Sequence, residues 1–214
     1  MKNKFQVVPL FSSPLVFTAI EDDTDELNNY KKFVSSDIDN ISSTATLSNQ
    51  NFNDVERVLE HYPRINNILL ERFKEYADQV LKYDNDYKIT TSWITNTDNG
   101  GSAQRHFHKN SLYSGVYYFQ DDYPEGCAEL EFTSPVIQLS DFMICPEESD
   151  CDIFNSHSWK VTPKPRLLIF FPSYLNHQVL IHKNNKSRRS LAFNIVPVGS
   201  YGQGDSKYDH NWIK

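Results

Sequence analysis

The feature that most constrains this chain is a change of hydrophobic period near residue 85. Up to about Tyr83 apolar residues recur at three- and four-residue steps, the period of a helix face; from about Tyr87 they alternate in short β-branched and aromatic runs, the period of a strand. The runs are Tyr87–Thr95, Leu112–Phe119, Ala128–Thr133, Trp159–Thr162, Leu167–Phe171, Gln178–Ile181 and Arg189–Val196. Some seven short strands in roughly 110 residues is a sandwich or barrel count. Helices leading into such a run predict a mainly β fold with N-terminal helices (α+β), a jelly roll whose outer sheet face is covered by a helical layer.

The preceding half supplies that layer. Pro63 stands where a first-turn proline is tolerated, and Ile65, Ile68, Leu69, Phe73, Tyr76, Val80 and Leu81 form one apolar stripe, so a helix is predicted from Pro63 to about Leu81. A shorter helix is expected to start at Asn53, with Glu56 closing a capping box, and to end near His61. Residues 24–34 are weakly amphipathic, and the Ser-, Asn- and Thr-rich stretch 35–51 reads as a surface loop. The opening stretch to Ile20 is interrupted by Gln6, Pro9, Ser12, Ser13 and Pro14, so it reads as an extended segment packed on the domain and not as a secretory signal. The expected layout is one domain over 1–214: helical support to about 84, a jelly-roll core over 85–198 and a tail over 199–214.

Composition narrows the function. A net charge of −7 has the wrong sign for broad phosphate binding, so nucleic acid is disfavoured as a partner. There is no apolar run long enough for a membrane helix. Three sparse cysteines, Cys127, Cys145 and Cys151, form no disulfide framework and point to a reducing, cytoplasmic compartment.

The histidines are placed unevenly. His106 and His108 lie two apart at the entry to a strand, so an extended backbone aims both into one face; His177 follows the strand ending in Phe171 and Pro172. Arg188 and Ser190 are again two apart, on one face of the last strand, with Arg189 on the other. If the chain stays extended after His108, Ser114, Val116 and Tyr118 share the histidine face while Tyr113 and Tyr117 point outward; a bulge in 109–111 would reverse this. By contrast His61, His157 and His210 stand apart and read as surface or packing residues, and His182 reads as opening a hairpin around Asn184 and Asn185. The turn-rich stretch 134–164 has the length of a lid or binding loop.

Three segments, HFHKNSLYSGVYYF (His106 to Phe119), LLIFFPSYLNHQV (Leu167 to Val179) and RRSLAFN (Arg188 to Asn194), resemble the 2-oxoglutarate, Fe(II)-dependent oxygenases of bacteria and tailed phages, relatives of the prolyl hydroxylases. The resemblance covers about Tyr87 to Val198, and the opening PLFSSPLVF is also similar. It implies a double-stranded β-helix in which His106, His108 and His177 hold Fe(II). It also implies that Arg188, with Ser190 and Tyr118 as added donors, holds 2-oxoglutarate, and that O2 is the oxidant. Three protein ligands leave positions free for the keto acid and dioxygen, and a guanidinium fork suits a carboxylate. Three departures stand out: His108 where most such enzymes carry a carboxylate, Arg166 where the family usually has glycine, and a stretch 134–164 longer than the family leads one to expect. The expected activity is hydroxylation of a C–H bond in a protein side chain or small molecule, with release of succinate and CO2. The alternatives are a cupin-type metalloprotein that does not use 2-oxoglutarate, or a non-enzymatic jelly-roll module. The cupin reading lacks its motif glutamate, since Leu112 and Tyr113 occupy that place.

Overall fold

The computed structural model describes residues 8, 12–33, 57–136 and 147–210. Its scaffold is two antiparallel sheets. The larger has the order β1 (Val16–Ala19), β7 (Leu167–Pro172), β4 (Tyr113–Tyr117), β9 (Arg188–Tyr201), with β2 (Asp86–Thr97) and β10 (Tyr208–His210) also pairing β9. The smaller runs β3 (Ala103–His106), β8 (His177–Val179), β5 (Leu130–Thr133), β6 (Ser158–Val161). The expected jelly roll is the observed architecture, and within the opening stretch Val16–Ala19 packs as an extended strand, with Val16 opposite Phe170, while residues 1–7 and 9–11 lie outside the described residues.

Alternation along the central strands divides the core in two. Val116, Tyr118, Ile169, Phe171 and Ala192 point between the sheets, where they meet Leu130, Phe132 and Val161. The intervening Tyr113, Tyr117, Leu168, Phe170, Leu191 and Phe193 point out of the barrel onto the helical layer. The predicted face assignment along β4 therefore holds, and the tyrosines that leave the barrel are buried. Gly115 sits where β4 crosses the Phe193 ring, which an added Cβ would overlap.

Helix α1 (Pro63–Tyr76) lays Ile65, Leu69, Phe73 and Tyr76 on that outer face. The predicted stripe ends early: residues Ala77–Leu81 form a π turn closed by Lys82 at φ 59°. The wider turn rotates the phase, so Val80 is exposed instead of buried. Before α1 lie a 3-10 helix at Asp25–Phe33 and a single 3-10 turn at Val58–His61; the expected capping box at Asn53 and Glu56 and the 35–51 loop fall outside the described residues. Two strands, β3 and β10, carry no sequence signal because they are short and polar.

The hairpin expected around Asn184 and Asn185 is not formed. β8 pairs with β3 and β5, whereas β9 pairs with β2, β4 and β10, so residues 180–187 cross from one sheet to the other. His182 is fully buried in that crossover. Its Nδ1 accepts the Ala128 N–H at 3.2 Å, its Nε2–H donates to the Lys186 carbonyl at 2.8 Å, and its backbone pairs with Gly100 and Gly101. Arg166, the residue found in place of the expected glycine, has φ 65°, a conformation that costs a residue with a Cβ about 1–2 kcal/mol. Its guanidinium donates to the Glu21 carbonyl and its backbone N–H to Tyr118, tying the first strand to the sheet.

Candidate metal and co-substrate site

Sheet register assembles the histidines. His106 ends β3 and His177 opens β8, and the two are direct cross-strand partners. His108 lies two residues beyond, where its backbone N–H donates to the Ser173 carbonyl at 2.9 Å, pinning this loop to the turn before β8. One nitrogen of each ring then falls within 4.8 Å of those of the others; among the described residues this is the one group of histidines, cysteines and carboxylates able to hold a metal.

Hydrogen bonds behind the rings decide which nitrogen faces the cluster. Nδ1 of His106 lies 2.7 Å from the Gln104 carbonyl and Nδ1 of His177 lies 2.8 Å from that of Leu175. A carbonyl only accepts, so both Nδ1 atoms carry hydrogen and both Nε2 atoms present a lone pair. Nδ1 of His108 lies 2.6 Å from Oδ1 of Asn194 and 2.9 Å from Oγ of Ser114. Burial pushes the His177 imidazole down to about 3 and also lowers that of His108, holding both in the neutral form that binds metal. The set contains no carboxylate, and its imidazole donors suit iron and other first-row divalent ions.

Arg188 lies on the inner face of β9 and is 1% exposed, while Arg189 points to the opposite face and is partly exposed. The Arg188 Nε donates to the Ala128 carbonyl at 2.9 Å, Nη1 to Ser190 Oγ at 3.2 Å and Nη2 to the Tyr118 hydroxyl at 3.1 Å, with the Tyr118 ring 5.2 Å away. No carboxylate among the described residues pairs with it. A guanidinium has five N–H donors, and these bonds engage three, so two remain. Ser190 and Tyr118 accept from Arg188, which leaves each O–H to donate. A buried cation with several donors aimed at one place fits an anionic ligand, because burying a charge without a counter-ion is costly.

Sequence reasoning named all six of these residues but missed their supports. Asn194 closes the RRSLAFN segment, and its parity with Arg188 and Ser190 was the available signal. Gln120 holds the start of β9, accepting the Arg189 N–H at 2.5 Å and donating to the Ser187 carbonyl at 3.1 Å. His182 fixes Ala128, whose carbonyl receives Arg188. Neither of these two has a signal in the sequence, since each depends on a partner far along the chain.

Residues 91–194 match the family described as "Putative 2OG-Fe(II) oxygenase". No curated protein matches the chain in sequence. Among solved structures, SnoN, a non-heme alpha ketoglutarate dependent epimerase from nogalamycin biosynthesis, is 10% identical with a TM-score of 0.57, over 89% of this chain and 82% of that one. SnoK, a carbocyclase of the same biosynthesis, is 10% identical with a TM-score of 0.56, over 91% and 84%. A Pseudomonas putida prolyl-4-hydroxylase is 17% identical with a TM-score of 0.42 over 60% of this chain; the chain spans 62% of its length. The likeness to SnoN and SnoK shows the fold, and residues 91–194, just under half of the chain, are similar to the 2-oxoglutarate, Fe(II)-dependent oxygenase family.

Proposed function

We propose that this chain is a 2-oxoglutarate- and Fe(II)-dependent dioxygenase that hydroxylates a C–H bond of a protein side chain or small molecule. The observation that carries this reading is Arg188: a buried guanidinium with two unused N–H groups and no carboxylate partner among the described residues, on the strand that also supports His108 through Asn194. His106, His108 and His177 hold the iron through Nε2. Arg188 receives the distal carboxylate of the co-substrate as a bidentate fork, with the Ser190 and Tyr118 hydroxyls donating to the same group. Ala192, the small residue between Ser190 and Asn194 on that face, leaves room for the carbon chain.

Bound there, Fe(II) with O2 and the keto acid supplies the oxidation, which yields succinate and CO2 and leaves one oxygen atom on the substrate. The protein's own part is to aim three imidazoles, anchor the keto acid at its far end and keep water out with Val116, Phe132 and Phe171.

No helix among the described residues is long and apolar enough to cross a membrane. A cytoplasmic location, in the host if the chain is phage-encoded, is supported by the free thiols of Cys127 and Cys151. Nucleic acid is disfavoured as a partner because the basic run at 183–189 is not one surface: Arg188 is buried and Lys186 pairs with Asp122 at 2.7 Å.

The test is anaerobic titration with Fe(II) and 2-oxoglutarate, followed by oxygen and mass spectrometry of candidate substrate pools. A charge-transfer band from the chelate and a gain of one oxygen atom are expected. Protein that binds iron but gives no band on adding the keto acid would favour the cupin reading, and protein that binds neither would favour the non-enzymatic one.

A further inference from the structure

We infer that Asn194 is the positioning residue of the metal centre, fixing the tautomer and aim of His108; this rests on reading the three histidines as metal ligands. The residue is 5% exposed, and both ends of its amide are engaged. Nδ2 donates to Thr91 Oγ1 at 2.8 Å, with Oδ1 turned toward His108. Oδ1 receives the Ser114 hydroxyl at 2.9 Å and lies 2.6 Å from Nδ1 of His108.

The hydroxyls behind it all point the same way. Ser111 donates to Ser173 at 2.8 Å. Ser114 has already given its hydrogen to Asn194, so Ser173 is the donor in the 2.8 Å contact between Ser173 and Ser114. A one-way chain from Ser111 through Ser173 and Ser114 therefore ends on Oδ1, an atom with two lone pairs and no hydrogen to give. One lone pair takes Ser114 and the other takes His108, so the Nδ1 of His108 must be the donor and its Nε2 the free lone pair. His106 and His177 obtain the same result from backbone carbonyls. Only His108 depends on a side chain, and that side chain is an amide. A carboxylate in its place would draw the imidazole proton and make His108 a stronger electron donor. The amide keeps the third ligand neutral and its donor strength moderate.

The test compares wild type with Asn194→Leu and Asn194→Asp. Long-range 1H–15N NMR of metal-free protein reads tautomers without any metal, and Co(II) and Fe(II) titrations read affinity. Wild type should show His108 as the Nδ1–H tautomer. Asn194→Leu should lose that bias at His108 alone and bind Co(II) about 10–100-fold more weakly, the usual effect of removing an outer partner. Asn194→Asp should restore Co(II) affinity and shift the charge-transfer band of the Fe(II) and 2-oxoglutarate chelate to lower energy, which no loss of packing would do. An unchanged His108 tautomer and unchanged Co(II) affinity in a folded Asn194→Leu protein would overturn the inference. If that variant does not fold, an Asn194→Asp charge-transfer band identical to wild type would overturn it instead. Wild type that binds neither Co(II) nor Fe(II) would instead remove the metal-site reading, leaving the apo tautomer to judge Asn194 separately.

Discussion

His106 and His177 face each other across the β3–β8 pair with ring centroids 4.4 Å apart, so two of the three candidate ligands are fixed by backbone register. Replacing either with alanine should weaken Fe(II) binding by at least the roughly 10–100-fold typical of outer-shell losses. Metal analysis and the charge-transfer band check this, and a full band in His177→Ala would remove that residue from the site.

Arg188 and its neighbour should separate cleanly. Arg188→Ala removes a buried fork and should cost about 2–5 kcal/mol of 2-oxoglutarate binding, more than tenfold in affinity. Arg189→Ala, on the opposite face, should cost about 0–1 kcal/mol. Calorimetric titration of both variants checks the ranking.

Gln120→Leu strips two backbone groups of their partners at the entry to β9. Each group left unsatisfied in a buried place costs about 1–3 kcal/mol, so the urea midpoint should fall, and 2-oxoglutarate affinity should fall with it because Arg188 begins the same strand.

Phe73 packs its ring against Tyr87 at 4.8 Å and against Tyr113 and Phe170, each at 5.2 Å. Phe73→Ala should cost about 3–5 kcal/mol of stability. The helical layer lies outside the barrel, so metal affinity of the protein that remains folded should be unchanged; denaturation and Co(II) titration together test the separation.

The tyrosine-rich core predicts alkaline sensitivity. Burial raises the hydroxyls of Tyr113, Tyr117, Tyr118 and Tyr123 and pushes Tyr87 up to about 12. An unfolded chain loses these protons near pH 10. Their contribution to stability is therefore complete below pH 10 and disappears as pH rises toward and past 12. Tyrosinate absorbance and loss of secondary structure should appear together in a pH jump above 10.

What the sequence revealed follows from what period-two reasoning can see. The inward Ser114, Val116 and Tyr118, the Arg188 and Ser190 pair and the outward Arg189 all depend on parity within one strand, and parity is local. The hairpin at Asn184 and Asn185 failed because turn chemistry says where a chain bends and not which sheet it enters next. Val80 failed because a π turn leaves no mark in the apolar pattern. Asn194 lay in plain view, but its work depends on Thr91, 103 positions earlier, and on His108, 86 positions earlier. Such pairings exist only once β2 has paired with β9 and the His108 loop has folded against them.

The three fixed tautomers also bear on which metal the protein would carry. A pocket of imidazoles, each already aimed, ranks divalent cations by their intrinsic preference for nitrogen, and that order places iron below cobalt, nickel and copper. Nothing in these ligands is tuned to refuse the stronger competitors. The identity of the bound ion would thus be set by cellular supply and by the order of encounter, and protein purified without added iron should emerge carrying whichever competitor it met first.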